Sequence, residues 1–145
     1  STKADIAWIL DAVDDNANGL TLCSGSLGAH PDNDVPQIAL QFADRIHFAH
    51  LRNVKKEMDG SFQEAAHLAG DTDMVALIRI LLDEEDRRIQ ARQGDDDIVF
   101  RPDHGHELLS DIGRGTHPGY PLVGRMRGLA ELRGVIHALS HRRQR

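Results

Sequence analysis

Apolar and polar positions alternate between two periods along this chain, and the switches between them predict its elements. Residues 3–14 carry Ile6, Ile9, Leu10 and Val13 at helical spacing, with Ser1 or Thr2 able to cap the start. After a turn at 16–19, residues 20–23 (LTLC) form a short apolar run, the mark of a buried strand. Residues 24–31 (SGSLGAHP) read as loop. Asp32 or Asn33 caps a second helix to about Phe42, which places Ile38 and Phe42 on one face. Residues 46–51 (IHFAHL) are a second strand, and a long polar loop is expected over 52–70. Asp71 or Thr72 caps a third helix with Met74, Leu77, Ile78, Leu81 and Leu82 on one side, and its later turns (DEEDRRIQARQ) read as a solvated face. A turn at 95–97 leads into a third strand over 98–100, which Arg101-Pro102 stops. A last helix runs over 122–139, apolar at Val123, Met126, Leu129, Ala130, Leu132 and Ile136.

Helices alternating with strands predict an α/β fold with parallel strands. Three strands cannot close a barrel, and a complete (β/α)₈ barrel takes about 250 residues against the 145 here. The first element is a helix with no strand before it. Two architectures fit: about three βα units from the C-terminal part of a larger barrel, or a small self-contained three-layer sandwich. In the first, residues 1–145 are a single partial domain whose upstream half is absent, and Trp8 and the open sheet edges become buried only on assembly.

Composition narrows the function classes. The chain is 40% hydrophobic and 28% charged, so a packed core is expected and disorder is not. No apolar run approaches the roughly 18 residues of a membrane span, and no basic segment precedes the first apolar stretch as in a signal peptide. A net charge of −6 argues against general nucleic-acid binding. One cysteine builds no internal disulfide and fits a reducing compartment such as the cytoplasm. Nine histidines direct attention to metal or proton chemistry.

Polar groups fall at the strand ends. Cys23 ends the first strand, His50 lies at the end of the second, and Asp103-His104-Gly105-His106 follows the third. Parallel α/β folds bind ligands at the carboxyl ends of their strands. A thiolate, an imidazole and a carboxylate meeting there suit a divalent transition metal better than magnesium or calcium. Each residue also has an ordinary reading: Cys23 as a small buried hydrophobe, His50 as a satisfied core histidine, and Asp103-His104 as a polar loop. Arg52 can hold a carboxylate with its forked guanidinium or form a loop salt bridge. His47, three residues from His50, faces the other side of its strand. His67 either folds over the site or lies on the surface. Tyr120 sits in a rigid Pro-Gly-Tyr-Pro turn, as a fixed hydroxyl or a packed loop aromatic. The glycines of 24–28 lack the lysine of a phosphate loop. His137, His141 and the basic tail 142–145 read as a solvated helix end.

The stretches GLTLCSGSLGAHPDND, DRIHFAHLRNV, FQEAAHLAGDTDM, FRPDHGHELL and PGYPLVGRMRGLAELRGV resemble, in order, the C-terminal portion of the mannonate dehydratase family. The resemblance implies a TIM barrel of the xylose-isomerase-like kind. It also implies dehydration of D-mannonate to 2-keto-3-deoxy-D-gluconate in hexuronate breakdown, with Mn²⁺ or Fe²⁺. Carried over by residue, it makes Cys23, His50 and Asp103 metal ligands, His104 a catalytic acid or base, Tyr120 a second catalytic or substrate-orienting group, and Arg52 a substrate contact. A further histidine ligand of the family lies upstream of these residues. The implied partners are the sugar acid, a second copy of the chain in a homodimer, and the missing N-terminal half of the barrel. Nucleic acid and membrane are not expected. A related metal-dependent sugar isomerase or epimerase, a zinc hydrolase using the Asp-His-Gly-His cluster, and a non-catalytic barrel fragment needing a partner chain stay open.

Overall fold

The computed structural model describes residues 1–143, with side chains as far as His141. The expected tail at 142–145 therefore lies outside the described side chains. Its elements are α1 (Lys3–Ala12), β1 (Leu20–Cys23), α2 (Ser24–Gly28), α3 (Val35–Gln41), β2 (Ile46–Leu51), β3 (Asn53–Lys56), β4 (Phe62–Ala65), α4 (Met74–Ala91), β5 (Val99–Pro102) and α5 (Leu122–Arg143). Short 3₁₀ turns occupy Ala43–Arg45 and Leu109–Asp111. Among the described residues no helix is long and apolar enough to cross a membrane.

The three expected strands pair in parallel in the order β1-β2-β5, which makes this an α/β fold. Their register sets up everything that follows. Cys23 stands beside His50, His50 beside Arg101, and Leu51 beside Pro102. The Asp103 N–H then donates to the Leu51 carbonyl at 3.2 Å, which holds the next residue at the same rim. Pro102 continues β5 where the sequence predicted a stop. Within these residues β5 pairs on one side only, with β2, so the N–H that Pro102 lacks breaks no ladder bond.

One core joins Ile6 and Leu10 of α1, Leu22, the buried residues of β2, Ile38 of α3, the Met74–Leu82 stripe of α4 and Leu132 of α5. Ile9 and Val13, read as part of the α1 stripe, are exposed, as is Trp8 at 75%. Helix α5 approaches closely through small residues. A Cβ on Gly124 would lie 1.8 Å from the His106 carbonyl oxygen, and one on Gly128 would lie 2.3 Å from the His67 ring. The buried Asp111 carboxylate anchors the start of α5, accepting from the N–H groups of Val123 (2.7 Å) and Gly124 (2.9 Å).

The structure corrects several local expectations. Residues 24–28 form the short helix α2, not loop. The caps are Thr2, Asp34 and Asp73, each accepting a backbone N–H inside its helix; the second and third lie beyond the predicted residues. The largest correction is at 52–70, where β3 and β4 pair as an antiparallel hairpin with Asn53 opposite Ala65 and Lys56 opposite Phe62. Gly60 takes φ +86° in its turn, a conformation glycine adopts without steric cost. The buried Asn53 side chain fastens the hairpin to the loop that leads to α4. It donates to the carbonyls of His67 (2.8 Å) and Thr72 (2.9 Å) and accepts from the Thr72 N–H (3.0 Å). His67 is neither a lid nor a surface residue: it is 1% exposed against α5. Burial pushes its pKa down, over an opposing pull from Glu131 and the Leu51 carbonyl.

Candidate metal centre

The carboxyl ends of β1, β2 and β5 bring together three side chains of the types that can ligate a metal. The ligand atoms of Cys23, His50 and Asp103 all lie within 4.8 Å of one another. Each is placed by a different device. Cys23 is the last residue of β1, and its Sγ accepts from the Ser26 hydroxyl of α2 at 3.2 Å. The buried Ser24 hydroxyl lies 2.6 Å from the Arg52 carbonyl and accepts from the Arg52 N–H at 2.9 Å, tying α2 to the chain just beyond β2. The His50 ring meets the Phe48 ring edge-on at 5.1 Å between centroids. Arg125 of α5 donates from Nε to the Asp103 backbone carbonyl at 3.0 Å, which leaves the Asp103 carboxylate free to face the cluster. That carboxylate is buried, and its nearest ionisable nitrogen, His104 Nε2, is 4.0 Å away, too far for a hydrogen bond. Thiolate, imidazole and carboxylate are the donor types that bind a divalent transition ion. The residues therefore fit such an ion.

Beside the cluster lies a string of polar side chains. His104 Nε2 is 3.1 Å from the Tyr120 hydroxyl, with the two rings edge to face at 4.8 Å. The turn holding Tyr120 is fixed to the His104 loop by the Gly105 N–H, which donates to the Gly119 carbonyl at 3.1 Å. The Arg125 guanidinium lies over the Tyr120 ring at 5.4 Å. On its other side, His104 Nδ1 is 2.9 Å from Glu64 Oε1.

Glu64 was not anticipated from the sequence. Its carboxylate takes Arg52 as a two-pronged partner: Nε donates to Oε2 at 2.9 Å, and Nη2 donates to Oε1. Burial pushes the Glu64 pKa up, but the hydrogen bonds from Arg52 and His104 outweigh it, so the carboxyl sits below its ordinary value. The Arg52 pKa is raised by its hydrogen bond to Glu64. Arg52 thus meets the loop salt-bridge expectation with two of its nitrogens. The signal that could have revealed Glu64 was Asp59-Gly60, a hairpin dipeptide between two short runs. Folding the chain back there brings Glu64 level with Val54, two residues from Arg52.

His47 lies away from the cluster, as expected, with Nε2 donating to the Asn16 carbonyl at 2.9 Å. His137 and His141 are exposed on α5.

The chain matches the family model for D-mannonate dehydratase (UxuA) over residues 1–145. It is 58% identical over 146 aligned positions to mannonate dehydratase 1 of Agrobacterium fabrum, covering 99% of this chain and 36% of that protein. It is 57% identical over 144 positions to a mannonate dehydratase of Rhizobium meliloti, covering 97% and 36%. The crystal structure of mannonate dehydratase from Streptococcus suis serotype 2 superposes with a TM-score of 0.83 at 32% identity, over 100% of this chain and 39% of that one. The chain spans just over a third of the length of these relatives. By the match over its whole length, the chain belongs to the D-mannonate dehydratase family.

Proposed function

We propose that these residues form the metal-holding part of an enzyme that dehydrates D-mannonate to 2-keto-3-deoxy-D-gluconate, in hexuronate breakdown. The observation that carries this reading is the meeting of Cys23, His50 and Asp103 at one sheet rim, beside the His104–Tyr120 pair. The sheet is read as three neighbouring strands of a (β/α)₈ barrel. The remaining strands, and one further histidine ligand, are assigned to the part of the relatives' length that has no counterpart in these 145 residues. A homodimer in the cytoplasm completes the reading.

Cys23, His50 and Asp103 would hold Mn²⁺ or Fe²⁺. Such an ion supplies Lewis acidity toward the substrate carboxylate and a neighbouring hydroxyl, which makes the C2 proton easier to remove. The chain's own residues then move protons. One of His104 and Tyr120 takes the proton from C2, and the other gives one to the departing C3 hydroxyl, which leaves as water. The resulting enol becomes the 2-keto acid. Whichever group takes the C2 proton, the 3.1 Å bond between them gives a direct path for it back to its partner, which readies the pair for another turnover. Arg52 Nη1, unlike Nε and Nη2, makes no hydrogen bond to Glu64 and is assigned to a substrate oxygen.

The test is carried out on residues 1–145 joined behind the upstream part of the Agrobacterium fabrum relative, with Mn²⁺ under reducing conditions. His104→Asn is expected to keep its metal and lose turnover by about 10²–10⁴-fold, the usual weight of a general acid or base. Unchanged turnover in that variant contradicts the role.

A further inference from the structure

The proton-moving pair has a third member on the side away from Tyr120. We propose that Glu64 is a positioning residue that locks the His104 ring with its proton on Nδ1, so that a bare Nε2 faces Tyr120 and the reacting carbon. This rests on the reading of His104 and Tyr120 above.

Arg52 grips both carboxylate oxygens, so Glu64 is the fixed partner of a permanent cation. An ionised carboxylate has no hydrogen to give. His104 Nδ1, 2.9 Å from Glu64 Oε1, must therefore be the donor in that contact. A neutral imidazole carries one proton. With that proton on Nδ1, Nε2 holds a lone pair, and the Tyr120 hydroxyl at 3.1 Å donates to it. The direction of both hydrogen bonds is thus set from the Arg52 end. The ring plane is set as well, because Gly119, at φ +81°, lies against the imidazole: a Cβ there would come within 3.1 Å of Nδ1.

The four side chains come from four separate places: the end of β2, strand β4, the segment after β5 and the turn before α5. A salt bridge serving stability alone would need only Arg52 and Glu64. This pair instead leaves its shared oxygen, Oε1, on the histidine next to the buried Asp103. A base oriented by a carboxylate through its far nitrogen is the general pattern of an activated catalytic histidine, and loss of such an orienting group costs up to about 10⁴-fold in turnover.

Two measurements test this on the fusion described above. Nitrogen-15 NMR of histidine-labelled, metal-free protein, at a pH where the ring is neutral, is expected to show His104 protonated at Nδ1. Protonation at Nε2 overturns the inference. In Glu64→Gln the Nδ1-protonated population is expected to fall. With Mn²⁺, kcat of this variant should drop by at least about 10²-fold, while metal content stays near wild type. Glu64→Asp, which keeps the charge, should recover part of that kcat. If Glu64→Gln turns over like wild type while His104→Asn is inactive, Glu64 has no positioning role and the reading of His104 stands. If His104→Asn itself is fully active, that reading falls and the inference with it. Should Glu64→Gln prove unstable, the wild-type tautomer and the Glu64→Asp kinetics still decide.

Discussion

Strand β2 has an arginine–glutamate pair near each end, and the two pairs differ in what they leave over. Near its amino end, Arg88 and Glu84 sit one turn apart on α4, 3% and 5% exposed. Arg88 Nη2 donates to the carbonyls of Ala43 (3.0 Å) and Ile46 (2.8 Å), and Arg87 donates to both Glu84 oxygens at 2.7 Å. These remaining bonds go to backbone or to a neighbour on the same helix. Just past the carboxyl end, Arg52 and Glu64 lie twelve residues apart, and the bond left over goes to His104. The residue types are the same and the more deeply buried pair is the one on α4, so neither feature marks the pair beside the cluster. What separates them is whether the third partner can move a proton. The Arg88 pair should govern stability alone, and the Arg52 pair should govern chemistry.

Substitutions at the two ends should break along this line. The largest effect is expected for Asp103→Asn, which weakens the donor set: bound metal, measured by elemental analysis, should fall to background and turnover with it. Tyr120→Phe removes only a hydroxyl; metal should stay and kcat should fall by about 10²-fold, the low end for a proton-transfer group. Arg88→Met should cost about 3–5 kcal/mol in urea unfolding, as expected when one partner of a buried pair is removed. The folded fraction should still turn over at the wild-type rate. A loss of kcat in that fraction would blur the comparison between the ends. The same pair predicts a pH dependence. The hydrogen bond from Arg87, and then that from Arg88, lowers the Glu84 pKa below its ordinary 4.5. Its contribution is therefore complete above that value and is lost as the pH falls through the lower folded value. The difference in stability between wild type and Arg88→Met should narrow in acid, leaving the part due to the Ala43 and Ile46 carbonyls. The smallest effect is expected for Gly128→Ala, whose Cβ would press on the buried His67 ring; overpacking of this kind costs about 1–3 kcal/mol.

The sheet and its rim were legible in the sequence because each depends on short-range pattern. LTLC and IHFAHL are apolar runs too short for helices, and a parallel sheet places the end of the first, Cys23, beside His50 near the end of the second. That is enough to bring Cys23, His50 and Asp103 together without knowing any loop. Glu64 was not legible, because its place depends on a hairpin whose strands, Asn53–Lys56 and Phe62–Ala65, carry no clear apolar alternation. The Asp59-Gly60 dipeptide was the one local cue; the hairpin's attachment to the loop before α4 runs through the Asn53 side chain, a contact of tertiary structure. The helix caps show the same limit. Several Asp, Asn and Thr residues precede α3 and α4, and sequence alone does not say which of them reaches back to a free N–H. His67 escaped for a related reason: its burial depends on Gly128, sixty-one positions later, leaving room for its ring.

The central claim is that a metal held at this rim and the His104 pair together dehydrate a sugar acid. The most direct measurement is the product formed from D-mannonate by residues 1–145 joined behind the upstream part of the Agrobacterium fabrum relative, with and without Mn²⁺, under reducing conditions. 2-Keto-3-deoxy-D-gluconate is expected only with metal, at a rate about 10²–10⁴-fold lower from the His104→Asn form, and not at all from the Cys23→Ala form. A folded, metal-loaded protein that leaves D-mannonate unchanged, or one that forms the product equally well after the metal is stripped, would contradict it.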